Sequence, residues 1–112
     1  SKKLSASARR IYLDKGQKIY FSSISVWEII VKYRLGRLPL PDNPVMYVPQ
    51  QRFIHGIESL PLEEIDVLEL DSLPKIHSDP FDRMLICQAR ARNFTILTPD
   101  KLIRPYPVKT IW

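Results

Sequence analysis

The chain has 112 residues, which suits one small domain and is too short for two. Its 45% apolar and 26% charged residues are ordinary for a globular protein, and no apolar run approaches the roughly 20 residues of a membrane-spanning helix. A single cysteine, Cys87, excludes an internal disulfide framework and fits a reducing compartment, so we expect a cytoplasmic protein with no membrane partner.

The first half of the chain is predicted to contain, in order, a helix over 5–14, a strand over 18–23, a helix over 25–35, a proline-rich connector over 37–44 and a helix over 44–55. Ser25 opens the second helix, and Gly36 is suited to a left-handed cap at its end. Pro49 is expected to kink or delay the third helix, because proline lacks a backbone N–H.

The second half is predicted to contain a short strand over 58–62, an acidic helix over 62–73, a helix over 79–93, a buried strand over 94–97 and a closing strand over 108–112. The helix that follows Asp79 is the best defined, since Pro80 suits a first helical position and apolar residues recur at helical spacing. Cys87 lies inside this apolar pattern and is expected to be buried. Strands that alternate with helices predict an α/β fold with a parallel sheet.

Three acidic residues, Glu28, Asp82 and Asp100, each lie where a predicted strand gives way to a helix start. The carboxyl ends of parallel strands meet at one edge of a sheet, which is where α/β proteins bind ligands. Converging carboxylates repel one another unless a cation lies between them, and Mg²⁺ and Mn²⁺ prefer oxygen ligands. Such a metal activates water and stabilises the oxygens of a phosphoryl displacement, so the pattern predicts a metal-dependent phosphodiesterase.

Each acid also has a structural explanation that is favoured when the residue is taken singly. Ser25 and Glu28 fit a capping box, in which the glutamate reaches back to the helix start. Asp79 is a natural N-cap, and Asp82 in the first turn suits the helix dipole. Asp100 could begin a short helix. The joint arrangement is what favours a site.

The net charge of +5 is unevenly distributed. Six acidic residues and no Lys or Arg lie between Phe53 and Pro74, which leaves 17 basic against six acidic residues elsewhere. A basic body favours a polyanion such as RNA, because neutralising phosphates releases counterions. Solvated surface side chains explain the excess equally well. The clusters that make RNA plausible are Lys32, Arg34 and Arg37, and Arg90 and Arg92.

Other possible sites are weaker. His55 and His77 are far apart and away from the cysteine, so zinc is not expected. His77 either orients substrate or is an ordinary surface histidine, the latter being favoured. Arg83 either contacts a phosphate or pairs with a neighbouring acid. The chain has no glycine-rich phosphate loop.

Four blocks of the chain, in their order and spacing, resemble PIN-domain proteins of the VapC toxin type: SSISVWEI (22–29), LGRL (35–38), HSDPFDRMLI (77–86) and LTPD (97–100). The resemblance implies a three-layer α/β/α fold around a parallel sheet. It also implies Mg²⁺- or Mn²⁺-dependent endoribonuclease activity on RNA, a cognate antitoxin protein that enters the catalytic groove, and a homodimer.

Matched onto this chain, the resemblance implies that Glu28, Asp82 and Asp100 are catalytic metal ligands and that Asp79 is an accessory metal-binding acid. We assign Arg83 and Lys32 to RNA binding.

One part of the family pattern is not matched. Its members begin with an apolar strand that ends in the first catalytic aspartate, and in the family's strand order this strand is central. The chain opens instead at Ser1-Lys2-Lys3-Leu4-Ser5, and Asp14 closes a predicted helix rather than following a strand. We therefore expect a single PIN-like domain over 1–112 that is truncated at its N-terminus, with unpaired edges on the strands over 19–23 and 94–97. Either truncation removed the strand or a partner chain supplies it.

The leading functional hypothesis is a toxin-type ribonuclease domain that is weak on its own, because one acidic ligand is missing. The alternative is a non-catalytic remnant that acts as an antitoxin-binding or dimerisation module. A metal-dependent DNA nuclease is a weaker third hypothesis.

Overall fold

The computed structural model describes residues 5–112, which form two compact units. The continuous unit is Lys18–Leu62, and the discontinuous unit combines the chain up to Gln17 with Glu63–Trp112. The described elements are α1 (Ala6–Leu13), β1 (Tyr20–Ser22), α2 (Ser23–Arg34), α3 (Pro44–His55), β2 (Glu58–Leu60), α4 (Glu64–Leu68), a 3₁₀ turn (Glu69–Asp71), α5 (Pro80–Arg92), β3 (Thr95–Leu97) and β4 (Lys109–Ile111). The predicted mixture of helices and short parallel strands is confirmed.

In the continuous unit, β1 pairs in parallel with β2, with Tyr20 opposite Glu58 and Ser22 opposite Leu60. Helices α2 and α3 pack on each other, and each buries an apolar side chain: Ile24 is 2% exposed and Val48 is 7% exposed. The unit is therefore a small parallel strand pair with a helical pair beside it.

The start of α2 differs from its prediction. Ser22 caps the helix, since its Oγ accepts the Ile24 N–H at 3.1 Å, and Ser25 lies inside the first turns. The predicted capping box between Ser25 and Glu28 is therefore wrong. Ser22 ends β1 in an extended conformation, so its side chain can accept a free N–H of the first helical turn, and the helix begins there rather than at Ser25.

The ends of α2 and α3 agree with their predictions. Gly36 has φ of +72° just after α2, the left-handed conformation that glycine adopts without a steric penalty. Helix α3 has its predicted bounds and keeps Pro49 in its interior. It closes on Gly56, which is also left-handed at φ +65°.

In the discontinuous unit, β3 pairs in parallel with β4, and α5 supplies much of the hydrophobic core. The buried core consists of Leu73, Ile86, Cys87, Ala89, Ile96, Ile103 and Tyr106. The burial predicted for Cys87 is confirmed, because its exposed fraction is 0%. Pro80 and Asp79 begin α5 as predicted, and Asn93 ends it with a left-handed φ of 55°.

The acidic segment is not the single helix predicted over 62–73. It forms the five-residue α4 and then the 3₁₀ turn. Asp66 is fully buried, and its Oδ2 accepts the Glu63 N–H at 2.9 Å and lies 3.1 Å from Arg92 Nη2. Glu69 Oε1 accepts from Arg90 Nε at 3.0 Å. Arg90 and Arg92 of α5 thus pair with three acids of this segment, Glu63, Asp66 and Glu69, and RNA binding by these arginines stays a prediction.

The strands form two separate two-stranded sheets within residues 5–112, so β1 and β3 each have one described strand partner. The three-layer arrangement, the single domain and the missing central strand stay predictions. None of the described helices combines the length and the apolar content needed to cross a membrane.

Candidate functional site

The N-terminus of α5 positions two of the predicted acids. Asp79 is the N-cap: its Oδ1 accepts the Phe81 N–H at 2.9 Å and the Asp82 N–H at 3.3 Å. The structural explanation of Asp79 is thus confirmed, and its accessory metal role stays a prediction. Asp82 follows in the first turn, where the positive end of the helix dipole favours a carboxylate.

Asp82 is not a freely solvated acid. Its side chain is 18% exposed, and its Oδ2 lies 3.7 Å from Nε2 of His77. That separation is within ion-pair range but longer than a hydrogen bond. The expectation that His77 is an ordinary surface histidine is wrong, because its side chain is also 18% exposed.

Tyr106 explains why His77 lies inside the fold. Its hydroxyl accepts the backbone N–H groups of His77 at 2.9 Å and of Ile76 at 3.2 Å. The two aromatic rings meet edge to face, with centroids 5.2 Å apart and planes at 65°. Tyr106 is 3% exposed and therefore holds this loop from the core side.

Arg83 completes this cluster. Its Nη1 donates to the carbonyl oxygen of Pro74 at 3.0 Å and to the Tyr106 hydroxyl at 3.3 Å. Burial alone would raise the pKa of Tyr106, but the N–H of His77, the Arg83 guanidinium and the N–H of Ile76 stabilise the phenolate and lower the pKa overall. Nη1 thus serves the loop, and RNA binding by Arg83 stays a prediction.

Asp100 lies in the same unit, just after β3. Its N–H donates to Thr98 Oγ1 at 3.0 Å, and its Oδ1 accepts the Leu102 N–H at 2.9 Å. These bonds form turns across residues 101–105 rather than the short helix that the sequence suggested. The half-buried carboxylate of Asp100 therefore shapes its own loop.

Glu28 lies in the continuous unit, on α2. Its Oε2 is 2.7 Å from Nζ of Lys32, one helical turn further on. The predicted metal ligand and the predicted RNA-binding lysine are thus ion-paired with each other. Since the capping box is absent, this pair replaces the structural explanation offered for Glu28.

The three predicted acids come from both units: Asp82 and Asp100 from the discontinuous unit and Glu28 from the continuous unit. Within residues 5–112, no group of three His, Cys, Asp or Glu side chains is placed to hold a metal ion. The carboxylate oxygens suit Mg²⁺ or Mn²⁺ in kind, but the described residues do not assemble a metal centre. The convergence of Glu28, Asp82 and Asp100 therefore stays a prediction.

No family model matches the chain. Over 43 residues the chain is 44% identical to Ribonuclease VapC16 of Mycobacterium tuberculosis (strain ATCC 25618 / H37Rv). The matched segment covers 38% of this chain and 30% of that relative. This similarity supports a VapC-like PIN family. It is local, because the match spans less than a third of the relative's length.

The sequence reasoning missed Tyr106 as a site residue. A tyrosine between Pro105 and Pro107 has restricted backbone freedom, which was the available indication of a fixed role. Its partners lie 29 and 30 residues earlier in the chain, beyond any local pattern.

Proposed function

We propose that the chain is part of an endoribonuclease of the toxin–antitoxin type, which hydrolyses RNA phosphodiester bonds with Mg²⁺ or Mn²⁺. The partial identity with Ribonuclease VapC16 carries the proposal. The half-buried Asp82 at the start of α5 supports it, because its carboxylate is largely shielded from solvent and lies next to the His77 ring. RNA, a cognate antitoxin and a second copy of the chain are the partners that we propose.

The proposed metal ligands are Glu28, Asp82 and Asp100, with Asp79 accessory. A bound Mg²⁺ or Mn²⁺ would activate water and stabilise the oxygens of the displacement. Asp79 contributes to the proposed site even without a metal, since its cap fixes the first turn that carries Asp82.

The residues that we propose for RNA binding are Lys32 on α2 and Arg83 on α5. Lys32 is half exposed, and Arg34 and Arg37 next to it are exposed. An RNA phosphate on Lys32 and a metal ion on Glu28 would each have to break the ion pair between these two side chains. Once one of them has bound, the other binds more easily, because its residue is already released. Arg83 keeps Nη1 on the loop while the rest of its guanidinium approaches RNA.

Cleavage of structured RNA with and without EDTA tests the proposal. We expect metal-dependent cleavage that Asp82→Asn abolishes, whereas Asp42→Asn, a change at an exposed acid of the connector, leaves cleavage unchanged. The assay is run on the 112-residue chain and on the chain extended by an N-terminal strand that ends in Asp, since the former is expected to be weak. Cleavage that persists both in EDTA and in Asp82→Asn contradicts the proposal.

The second candidate is a non-catalytic module that binds an antitoxin or dimerises. The ion pair between Glu28 and Lys32 favours it, because the pair gives both side chains a role that needs neither metal nor RNA. Capture of a small partner with an acidic tail, together with no cleavage by the extended protein, would decide for this candidate. Single-stranded DNA is tested as a substrate beside the RNA. Cleavage of the DNA but not of the RNA would indicate a DNA nuclease instead of either candidate.

A further inference from the structure

We propose that Tyr106 is a positioning residue that holds the His77 ring with Nε2 directed at the Asp82 carboxylate. The inference rests on the proposed function for the part that Asp82 plays. It concerns three side chains of the discontinuous unit and needs no contact with the rest of the chain.

The first step is the placement of the backbone. The Tyr106 hydroxyl receives the N–H of His77 at 2.9 Å and the N–H of Ile76 at 3.2 Å. These bonds fix the loop that leads into the N-cap of α5. Because Tyr106 is 3% exposed and belongs to the core cluster, the hydroxyl has a rigid support.

The second step concerns the hydroxyl proton. The two backbone N–H groups occupy the two lone pairs of the oxygen, and Arg83 Nη1 approaches it at 3.3 Å, so the hydroxyl can add only a bond that it donates. Two acceptors lie within reach of that donation: the carbonyl oxygen of His77, 3.3 Å from the hydroxyl oxygen, and Nδ1 of its ring at 3.4 Å, which accepts only if the ring hydrogen is on Nε2. The lowered pKa of Tyr106 makes the hydroxyl a better donor to either atom.

The third step is the choice of tautomer. If Nδ1 accepts from the hydroxyl, a neutral His77 ring must carry its hydrogen on Nε2. Nε2 is buried and has no hydrogen-bond partner among the described residues, which is costly for a donor. The nearby Oδ2 of Asp82, at 3.7 Å, is the acceptor that would relieve this cost after a small side-chain movement. Tyr106 would thereby set the orientation of Asp82 through His77.

The test is the tautomer of His77, read from its ring ¹⁵N shifts in mildly alkaline solution, below the lowered pKa of Tyr106, so that the hydroxyl still carries its proton. The chain has two histidines, so His55 in α3 is an internal reference. We expect His77 to be protonated on Nε2 in the unaltered chain, and Tyr106→Phe to shift it toward a mixture of tautomers. Tyr47→Phe on α3 is the matched control and should leave both rings unchanged. A wild-type His77 protonated on Nδ1, or spectra unaltered by Tyr106→Phe, would overturn the inference.

RNA cleavage gives a second readout. We expect Tyr106→Phe to lower kcat roughly 10-fold to 100-fold, as loss of an outer orienting contact does, with little change in KM. An unchanged kcat would overturn the inference. If the unaltered, extended protein cleaves no RNA, the proposed function fails, while the ¹⁵N spectra still decide the positioning of His77. If Tyr106→Phe does not fold, the tautomer of His77 is compared between the unaltered chain and Asp82→Asn. The proposal expects the ¹⁵N shifts of His77 to change in Asp82→Asn, and unchanged shifts would contradict it.

Discussion

Glu28 and Lys32 form a 2.7 Å ion pair across one turn of α2, with side chains 26% and 50% exposed. The glutamate precedes the lysine by four residues, the more favourable order on a helix. Both residues were selected from the sequence for separate roles in metal and RNA binding. If the pair only stabilises the surface of the helix, mutation should change stability. If the two residues bind metal and RNA, mutation should change activity.

Glu28→Gln should separate these readings. Loss of an exposed pair at this spacing costs about 0.3–0.5 kcal/mol of unfolding free energy, whereas loss of a metal ligand should remove RNA cleavage. Urea unfolding and cleavage are measured on the same samples. Glu58→Gln is the matched control, because it breaks the exposed Lys18–Glu58 pair of the same unit and touches no predicted ligand. Full activity in Glu28→Gln would leave Glu28 as a helix-surface residue only.

Asp66→Ala should be among the more destabilising single changes in the discontinuous unit. Asp66 is 0% exposed and bonded to Arg92, so its removal leaves a half-buried guanidinium without its main partner, at a cost of about 3 kcal/mol. The same pair raises the pKa of Arg92, chiefly through its hydrogen bond to Asp66. Glu63→Ala is the control: it pairs with the same arginine but is 64% exposed, so it should cost under about 1 kcal/mol. Equal losses in the two variants, measured by urea unfolding, would contradict this account.

Asp79→Ala and Asp79→Ser distinguish capping from metal binding. Loss of the cap should reduce the unfolding free energy by about 1 kcal/mol, and Ser should restore most of it, because its hydroxyl also accepts the N–H groups of the first turn. An accessory metal role would leave Asp79→Ser stable but impaired in Mn²⁺ binding by calorimetry. Recovery of both properties in Asp79→Ser would show that the cap is the whole role.

Cys87 makes stability depend on alkaline pH. Burial raises the pKa of its thiol above the ordinary value of 9.0, so the unfolded chain loses the thiol proton first. The unfolding free energy should therefore fall as pH rises above about 9, by up to about 1.4 kcal/mol per pH unit, whereas this contribution is fully present at lower pH. Denaturant unfolding across this range should show a shallower fall for Cys87→Ala, although that variant is less stable throughout.

Thiol labelling of Cys87 offers an independent check. Because its side chain is fully buried, a thiol reagent should react only when the discontinuous unit opens. The labelling rate should rise with urea in step with unfolding. Fast labelling of the native protein would contradict this burial.

Local chemistry explains which elements could be predicted. Helix α5 begins at Asp79 and Pro80 and ends at Asn93, all residues with strong positional preferences, so its bounds were readable from the sequence. Gly36 likewise marked the end of α2 through its left-handed φ. The start of α2 was not readable in the same way, because Ser22, Ser23 and Ser25 are all competent caps and local preference does not choose among them.

The sequence by itself determined the alternation of helices and strands, the burial of Cys87 and the positions of Asp79 and Asp82 at the start of α5, because periodicity and capping act within a few residues. Glu28 was expected at a helix start and lies in the middle of α2. Only the tertiary structure decided which of these charges are neutralised and by what. Asp66 meets Arg92 across 26 residues, and Tyr106 meets His77 across 29. Pairings of this kind depend on how separate elements pack. Once the groups are buried, loss of a partner costs free energy, because the remaining polar group has no hydrogen bond to water.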